Sequence, residues 1–378
     1  MATREGTWRY RNRFGDSFGR TYFRRFGPGV VSSIGAGTYL GDPTDAVDDR
    51  YHEALVTALE SGINLVDTAV NYRCQRSERV VGRALSTAEI DREEVVVATK
   101  GGFVPFDAER PADPGAYVRR EFIDTGLVSP EDLARGSHSL TPAFVDAMLD
   151  RSLSNLGLDT IDLYYLHNPE TQLHARSRVE VYDLLERAFT RLEERRAAGD
   201  LGAYGVATWA AFRVPPGHDQ YLSLAEVIAR AERAAEDAGA SEPGLAAIQL
   251  PFNVTMADAF TVEAHGDGGA RDVDGGEDGE ADGGDGPRSA LRYAHERGLD
   301  VFTSASIGQG DLARSIPPEV DAELAGDTPA QRAVNFARSA PGVTAALVGA
   351  SRAEHVAENV AAGTFDPLGA RAFDSVFE

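Results

Sequence analysis

Short apolar runs alternate with amphipathic stretches along most of the chain. Each run is nearly continuous in hydrophobic residues, which is typical of parallel strands that are buried on both faces. The segments between the runs carry apolar residues at a spacing near 3.6, as Val181, Leu184, Leu185, Ala188 and Leu192 illustrate. The predicted strands are Val31–Tyr39, Ile63–Thr68, Val95–Lys100, Ile161–His167, Ala203–Trp209, Ala246–Phe252, Asp300–Ser306 and Thr344–Ala350.

Eight strands with intervening helices predict either a (β/α)8 barrel or a doubly wound open sheet. No GxGxxG motif follows the first strand, which disfavours a dinucleotide-binding open sheet. We therefore expect an α/β protein with a single domain over residues 1–378, a TIM barrel with long loops at its C-terminal mouth. Hydrophobic residues make up 42% of the 378 residues, which is enough for a core of that size.

Two segments interrupt the alternation, and a basic arm precedes it. Gly101–Leu140 is rich in Gly, Pro and charge, and it is predicted either to cap the mouth or to be an inert insertion. His265–Pro287 consists mostly of Gly and acids, so we expect a flexible loop. A calcium-binding loop is the alternative there, although the spacing of the acids does not fit one. The basic arm, residues 1–28, is expected either to dock on the body or another subunit, or to stay disordered.

The charge balance narrows the function classes. The chain has 60 Asp plus Glu against 37 Lys plus Arg, for a net charge of −23. Such a surface disfavours nucleic-acid and anionic-membrane partners, and no apolar run is long enough to span a membrane. We interpret the acidity as adaptation to a halophilic cytoplasm, with ordinary acidic bias as the alternative. The single cysteine, Cys74, and the lack of a signal-like N-terminal stretch also favour a cytoplasmic location.

Polar side chains stand where successive predicted strands end. Asp67 ends the second strand, with Tyr72 in the loop after it, while Lys100 and His167 end the third and fourth strands. Lys100 is the only lysine, and arginine cannot replace a compact ammonium whose pKa shifts on burial. Each residue alone has an ordinary structural explanation, as a turn, packing or hydrogen-bonding group. Their joint placement at one barrel face favours catalysis.

The strings NLVDTAVNYR, VVVATK and DLYYLHNP resemble the aldo-keto reductase family in order and spacing. The likeness runs from GAGTYLG near Gly35 to AEHVAENV near Val356, and DLYYLHNPE with the preceding insert looks like a branch with an enlarged loop after the third strand. The resemblance implies an oxidoreductase that transfers a hydride between NADP(H) and an aldehyde or ketone, or the corresponding alcohol. The substrate would thus be a small carbonyl or alcohol, and a homo-oligomer is compatible with the sequence.

The resemblance also implies roles for the four polar residues. Tyr72 would be the general acid in carbonyl reduction and the base in alcohol oxidation. Asp67 would keep Lys100 charged and oriented, and the ammonium would lower the pKa of Tyr72 from its ordinary value near 10. His167 would hydrogen-bond the carbonyl oxygen of the substrate.

The family lays an extended NADP(H) across the barrel mouth, and several positions match its contacts. Ser351 and Arg352 resemble the pair that binds the 2′-phosphate, at a helix start where free N–H groups favour an anion. Gln249 resembles the residue that hydrogen-bonds the nicotinamide carboxamide. The expected cofactor contacts are Gly37, Thr38, Asp67, Thr208, Gln249, Ser304, Ile307, Gly349, Ser351, Arg352, His355 and Asn359.

His355 stands where the family often has Gln or Arg, and three positions near the nicotinamide also depart from the family pattern. Ala207 and Thr208 stand where a Ser–Asn pair is common, and Ser304 stands where an aromatic residue often stacks on the nicotinamide. These changes leave open a regulatory or sensory barrel that binds a nicotinamide nucleotide with little turnover. A metal-dependent hydrolase is disfavoured because the eight histidines include no HxH or HxxxH pair at a strand end, so no metal is expected.

Overall fold

The computed structural model describes residues 1–266 and 286–377, and its centre is a closed eight-stranded barrel. Neighbouring barrel strands are all parallel, so their carboxyl ends share one rim. The prediction of a (β/α)8 barrel is confirmed. An antiparallel hairpin of β1 (Phe23–Phe26) and β2 (Gly29–Ser32) precedes the barrel strands β3 (Ile34–Gly37), β4 (Leu65–Asp67), β5 (Val96–Gly101), β6 (Ile161–His167), β7 (Leu201–Ala207) and β8 (Leu245–Pro251). The short pair β9 (Glu263–His265) and β10 (Arg288–Ser289) comes before the last barrel strands, β11 (Asp300–Ser304) and β12 (Val343–Gly349).

Amphipathic helices surround the barrel and bury their apolar faces against it. The apolar series predicted between residues 181 and 192 is wholly buried on one helix, which begins at a capping box of Ser177 and Glu180 and ends at Gly199 with φ 91°. No helix among the described residues is long and apolar enough to cross a membrane. The helices are α1 (Arg4–Phe14), α2 (Asp45–Glu60), α3 (Arg76–Thr87), α4 (Pro114–Val118), α5 (Pro142–Leu156), α6 (Arg178–Ala198), α7 (Leu224–Asp237), α8 (Asp258–Thr261), α9 (Ala290–Glu296), α10 (Pro318–Asp321), α11 (Pro329–Ser339), α12 (Ala353–Ala362) and α13 (Ala370–Asp374).

One predicted strand is wrong. The run Val31–Tyr39 is divided between the hairpin strand β2 and the barrel strand β3, which are separated at Ser33. Val31 packs with residues of the barrel interior, so the hairpin closes the end of the barrel opposite the mouth. Ser32 and Ser33, both buried, interrupt the apolar run at this break, a signal that the strand prediction did not use.

The basic N-terminal arm lies on the body of the barrel. Tyr10 is fully buried, and its hydroxyl donates to the Leu59 carbonyl oxygen at 2.6 Å. Arg9 pairs with Asp91 at 2.7 Å and with Glu94 at 3.0 Å. The helical part of the arm is therefore docked on the body and is not disordered.

The segment 101–140 packs around an apolar cluster of its own. Its members include Val104, Val118 and Phe122, and they contact Val70 in the loop that carries Tyr72. The segment thus lies beside the mouth and touches a loop of the candidate site. Within the second predicted insertion, residues 267–285 lie outside the described residues, and the predictions of a flexible or calcium-binding loop concern that part.

Candidate active site

Three neighbouring barrel strands bring Asp67, Lys100 and His167 to the mouth. Asp67 is the last residue of β4, Lys100 lies one residue before the end of β5, and His167 is the last residue of β6. The parallel register pairs Asp67 with Ala98 and Lys100 with Tyr165. Because parallel strands end on one rim, the predicted polar residues converge there.

Lys100 and Asp67 form a buried ion pair. Lys100 is fully buried, and its Nζ lies 2.5 Å from Asp67 Oδ1 while it donates to the Thr68 carbonyl oxygen at 2.7 Å. The second carboxylate oxygen, Oδ2, accepts from Gln249 Nε2 at 2.8 Å. Burial lowers the pKa of Lys100, and the Asp67 charge opposes that shift. Gln249, expected only as a cofactor contact, thus also holds Asp67.

The ring of Tyr72 lies beside the Lys100 ammonium. Lys100 Nζ is 4.9 Å from the centroid of the Tyr72 ring, and the ring centroids of His167 and Tyr39 lie 5.9 and 5.0 Å away. The structure therefore brings all four predicted catalytic residues together. It disagrees with the expected effect on the phenol: burial first, and then the charges of Asp67 and Tyr39, raise the pKa of Tyr72 well above its ordinary value. The Lys100 charge does not offset this rise in the pKa of Tyr72.

The turn after Tyr72 has an unusual backbone. Arg73, Cys74 and Gln75 have φ values of 49°, 57° and 68°, a left-handed run that disfavours residues with a side chain. Arg73 is buried and bonds the carbonyl oxygen of Asp42 and the carboxylate of Asp48. Gln75 Nε2 donates to the Phe106 carbonyl oxygen at 3.0 Å in segment 101–140. These anchors on both sides hold the loop that carries Tyr72.

His167 is half-buried beside an aromatic wall. The Phe103 ring lies 5.1 Å from the His167 ring in an edge-on arrangement. Burial, with the charge of Lys100 and the nearby His138, keeps the pKa of His167 well below its ordinary value, so the ring is neutral at pH 7. Nδ1 is buried without a hydrogen-bond partner among the described residues, which leaves Nε2 as the nitrogen able to meet a substrate.

Glu170 belongs to the rim but was not predicted from the sequence. Its side chain is buried, and Oε1 accepts from the backbone N–H groups of Trp209 at 2.7 Å and Ala210 at 2.9 Å. It therefore fixes the turn after β7, where Thr208 lies. The signal in the sequence was an acid three residues beyond His167, in the quoted HNPE string.

The expected nicotinamide contacts lie around the same rim. Gly37 pairs with Asp67 and with Gly349 in the barrel register, and Thr38 donates to the Asp67 carbonyl oxygen at 3.2 Å. The Thr208 N–H donates to the Gln249 carbonyl oxygen at 2.8 Å, while Thr208 Oγ1 is buried without a partner in the described part of the chain. Ser304 is the last residue of β11 and Ile307 follows in the next turn. A cavity of about 840 Å³ opens beside that turn, between Trp209, Asn253 and Leu312.

The expected phosphate contacts lie where β12 leads into α12. Arg352 is exposed at the N-cap position of α12 and forms no ion pair with a described carboxylate. Ser351 precedes it and is half-buried, His355 is exposed, and Asn359 is buried in the same helix. Within residues 1–266 and 286–377, no three His, Cys, Asp or Glu side chains are grouped so that they could hold a metal ion.

Comparison with known proteins adds an independent finding. The model of the aldo/keto reductase family matches residues 33–215. A D-threo-aldose 1-dehydrogenase from a Pseudomonas species is 35% identical over 163 residues, which are 43% of this chain and 44% of that relative. This chain therefore covers less than half the length of that relative. A putative voltage-gated potassium channel subunit beta from Schizosaccharomyces pombe is 26% identical over 345 residues, which are 89% of this chain and 85% of that protein.

Solved structures share the fold over nearly the whole chain. An aldo/keto reductase from Klebsiella pneumoniae, in complex with NADP and acetate, superposes with a TM-score of 0.57 at 20% identity over 94% of each chain. A glycerol dehydrogenase from Gluconobacter oxydans gives a TM-score of 0.60 at 20% identity over 95% of each chain. The fold defines a (β/α)8 barrel with a polar cluster at its carboxyl rim. Residues 33–215 match the aldo/keto reductase family model, and the barrel described here agrees with that match.

Proposed function

We propose that this chain is an NADP(H)-dependent oxidoreductase that reduces an aldehyde or ketone, with Tyr72 as the proton donor. The observation that carries the proposal is the sole lysine, buried against Asp67 and under the ring of Tyr72 at the mouth. A fully buried ammonium is costly, so its retention at this place argues for a role in chemistry.

Each residue has a physical role in reduction. Tyr72 remains a phenol at neutral pH because its pKa is raised, so it can donate a proton to a carbonyl oxygen as negative charge develops there. His167, neutral in this site, donates an N–H to the same oxygen and orients it. Lys100 stabilises the developing charge. In the reverse direction Tyr72 would be the base in alcohol oxidation, and its raised pKa favours the reduction.

The residues at the rim fit a nicotinamide nucleotide. A reduced nicotinamide, when bound, supplies the hydride. The unpartnered Thr208 Oγ1 and the amide oxygen of Gln249, whose nitrogen is engaged by Asp67, suit the carboxamide. Arg352, exposed at the start of α12, suits a 2′-phosphate and hence NADP(H). The NADP complex of the Klebsiella pneumoniae protein supports the same assignment, whereas a relative that is 33% identical over 143 residues is named an NADH-specific methylglyoxal reductase.

Replacing Tyr72 with phenylalanine tests the proposal. We expect Tyr72→Phe to lower kcat for 4-nitrobenzaldehyde about 10²- to 10⁴-fold, the usual contribution of a positioned acid. NADPH oxidation is followed by absorbance in molar salt. Tyr117→Phe, a half-buried phenol of segment 101–140 with no proposed part in the reaction, is the matched control. Equal rates for Tyr72→Phe and the parent would reject the assignment.

A regulatory barrel is the second candidate. It is favoured by Ala207 and Thr208 at the carboxamide turn and by the match to the potassium channel subunit over 89% of the chain. That function predicts tight NADPH binding, seen as quenched fluorescence, without carbonyl-dependent oxidation by the parent protein. The proposed setting in either case is a salt-rich, reducing cytoplasm, supported by the net charge of −23 and the single cysteine.

A further inference from the structure

Segment 101–140 reaches the backbone of His167 through a buried histidine. His138 is fully buried, and its Nε2 lies 2.7 Å from the His167 carbonyl oxygen. On the other side of the ring, Nδ1 lies 2.7 Å from Gln172 Nε2. Gln172 follows β6 and is also fully buried. The two side chains therefore join this segment to the loop that begins at His167.

The partners of Gln172 determine which ring nitrogen of His138 carries the proton. Gln172 Oε1 lies 2.6 Å from Arg176 Nη1, which can only donate, and Gln172 Nε2 lies 2.8 Å from the His138 carbonyl oxygen, which can only accept. Both contacts therefore require the same orientation of the Gln172 side-chain amide. Gln172 Nε2 must donate to Nδ1, so the proton of a neutral His138 is on Nε2 and is donated to His167.

The peptide group after His167 is held at both ends. Its carbonyl oxygen accepts from His138, and the N–H of Asn168 donates to the Ala207 carbonyl oxygen at 2.6 Å. The Phe103 ring contacts both imidazoles edge-on, with its centroid 4.7 Å from that of His138 and 5.1 Å from that of His167. Segment 101–140 therefore contacts both the backbone and the ring of His167.

Gly102 allows segment 101–140 to approach the loop that begins at His167. Its φ is 153°, and an added Cβ would lie 2.7 Å from the His167 carbonyl oxygen and 3.1 Å from His138 Nε2. Burial lowers the pKa of His138 to about 4, so the ring stays neutral in the physiological range. Gly102 and the neutral ring together make the short contact to His167 possible.

We propose that His138 is a positioning residue, which fixes the direction in which His167 presents Nε2 to the substrate carbonyl oxygen. The inference rests on the proposed reductase function and deepens it. Segment 101–140 thereby becomes part of the support of the site, because a small error in the position of a hydrogen-bond donor lowers the rate of the reaction.

Two substitutions of His138 separate positioning from simple packing. Glutamine places an amide N–H at the reach of Nε2 and can keep the bond to His167, whereas asparagine reaches only to the position of Nδ1 and can keep the bond to Gln172. We expect His138→Asn to lower kcat about 10- to 100-fold, with a Kd for NADPH within about twofold of the parent, and His138→Gln to keep kcat within about threefold. Equal kcat values for the two variants, or the reverse order, would overturn the proposal.

A measurement on the unsubstituted protein guards against variants that fail to fold. Long-range ¹H–¹⁵N spectra of the imidazoles at pH 7 should show a neutral His138 with its proton on Nε2. A proton on Nδ1, or an imidazolium, would overturn the inference. A parent protein that never oxidises NADPH with a carbonyl would instead reject the proposed function. An active parent with an equally active His138→Asn would reject only the positioning role.

Discussion

The reacting end of the mouth, around Lys100 and His167, differs from its phosphate end, around Arg352, in how its polar groups are held. Both oxygens of Asp67 are bonded to protein groups, and the peptide after His167 is bonded at both ends. Arg352 is exposed and forms no ion pair with a described residue. The first region is organised by the protein itself, while the second is left for a ligand to organise.

This difference has an energetic consequence. Groups fixed in advance lose little free energy to reorganisation during the reaction, so changes at the reacting end should appear in kcat and in the stability of the fold. An exposed arginine contributes little to folding, so changes at the phosphate end should appear in cofactor affinity alone. Variants at each end of the mouth test this division.

The largest effect is expected on breaking the buried pair. Lys100→Met leaves the Asp67 carboxylate without its cation, which should cost about 3–5 kcal/mol of the free energy of unfolding. We expect Asp67→Asn combined with Lys100→Met to recover much of that stability, because no unpaired charge remains buried. Both variants should lack measurable kcat. Urea unfolding in molar salt and NADPH oxidation provide the two measurements, and a double variant less stable than Lys100→Met would contradict the buried-pair explanation.

A smaller effect is expected at the phosphate end. Arg352→Ala should weaken NADPH binding about tenfold, or about 1.4 kcal/mol, because one charge-assisted contact to the 2′-phosphate is lost. NADH has no such phosphate, so its Kd should not change, and neither should kcat at saturating NADPH. Arg187→Ala, which removes an exposed arginine from α6, is the matched control. An equal loss of affinity for NADH would remove the assignment of Arg352.

The sequence could predict the site residues at strand ends but not those that tertiary packing brings to the site. The four polar residues lay beside apolar runs whose ends mark the rim, so Asp67, Lys100 and His167 could be placed by strand counting alone. His138 lies in a segment without periodicity, and its contact with His167 joins residues 29 positions apart. The left-handed run at Arg73–Gln75 contains no glycine, so no residue type announced it. Contacts of this kind arise from tertiary packing and leave no local pattern.

The direction of the Tyr72 pKa was predicted wrongly for a related reason. The sequence placed an ammonium near the phenol but could not show that Asp67 binds that ammonium at 2.5 Å, or how the ring lies against it. Burial of the phenol then dominates and raises its pKa. The sequence revealed which charges are present, whereas their geometry decided which charge acts on Tyr72.

Salt should produce the smallest effect on the site. The reacting end and the phosphate end of the mouth should respond to it differently. The net charge of −23 implies repulsion among surface carboxylates. Salt screens this repulsion, because the Debye length falls from about 10 Å at 0.1 M to about 3 Å at 1 M. We therefore expect Tm to rise between 0.1 and 2 M KCl.

The affinity for NADPH, which depends on the exposed Arg352, should weaken over the same range of salt. In contrast, kcat at saturating NADPH should stay nearly constant, because Lys100 and Asp67 are buried away from the ions. Thermal melts, fluorescence titration and rate measurements at each concentration distinguish these responses. A flat Tm would remove the halophilic interpretation, and a kcat that followed Kd would show that the reacting end is as open to solvent as the phosphate end.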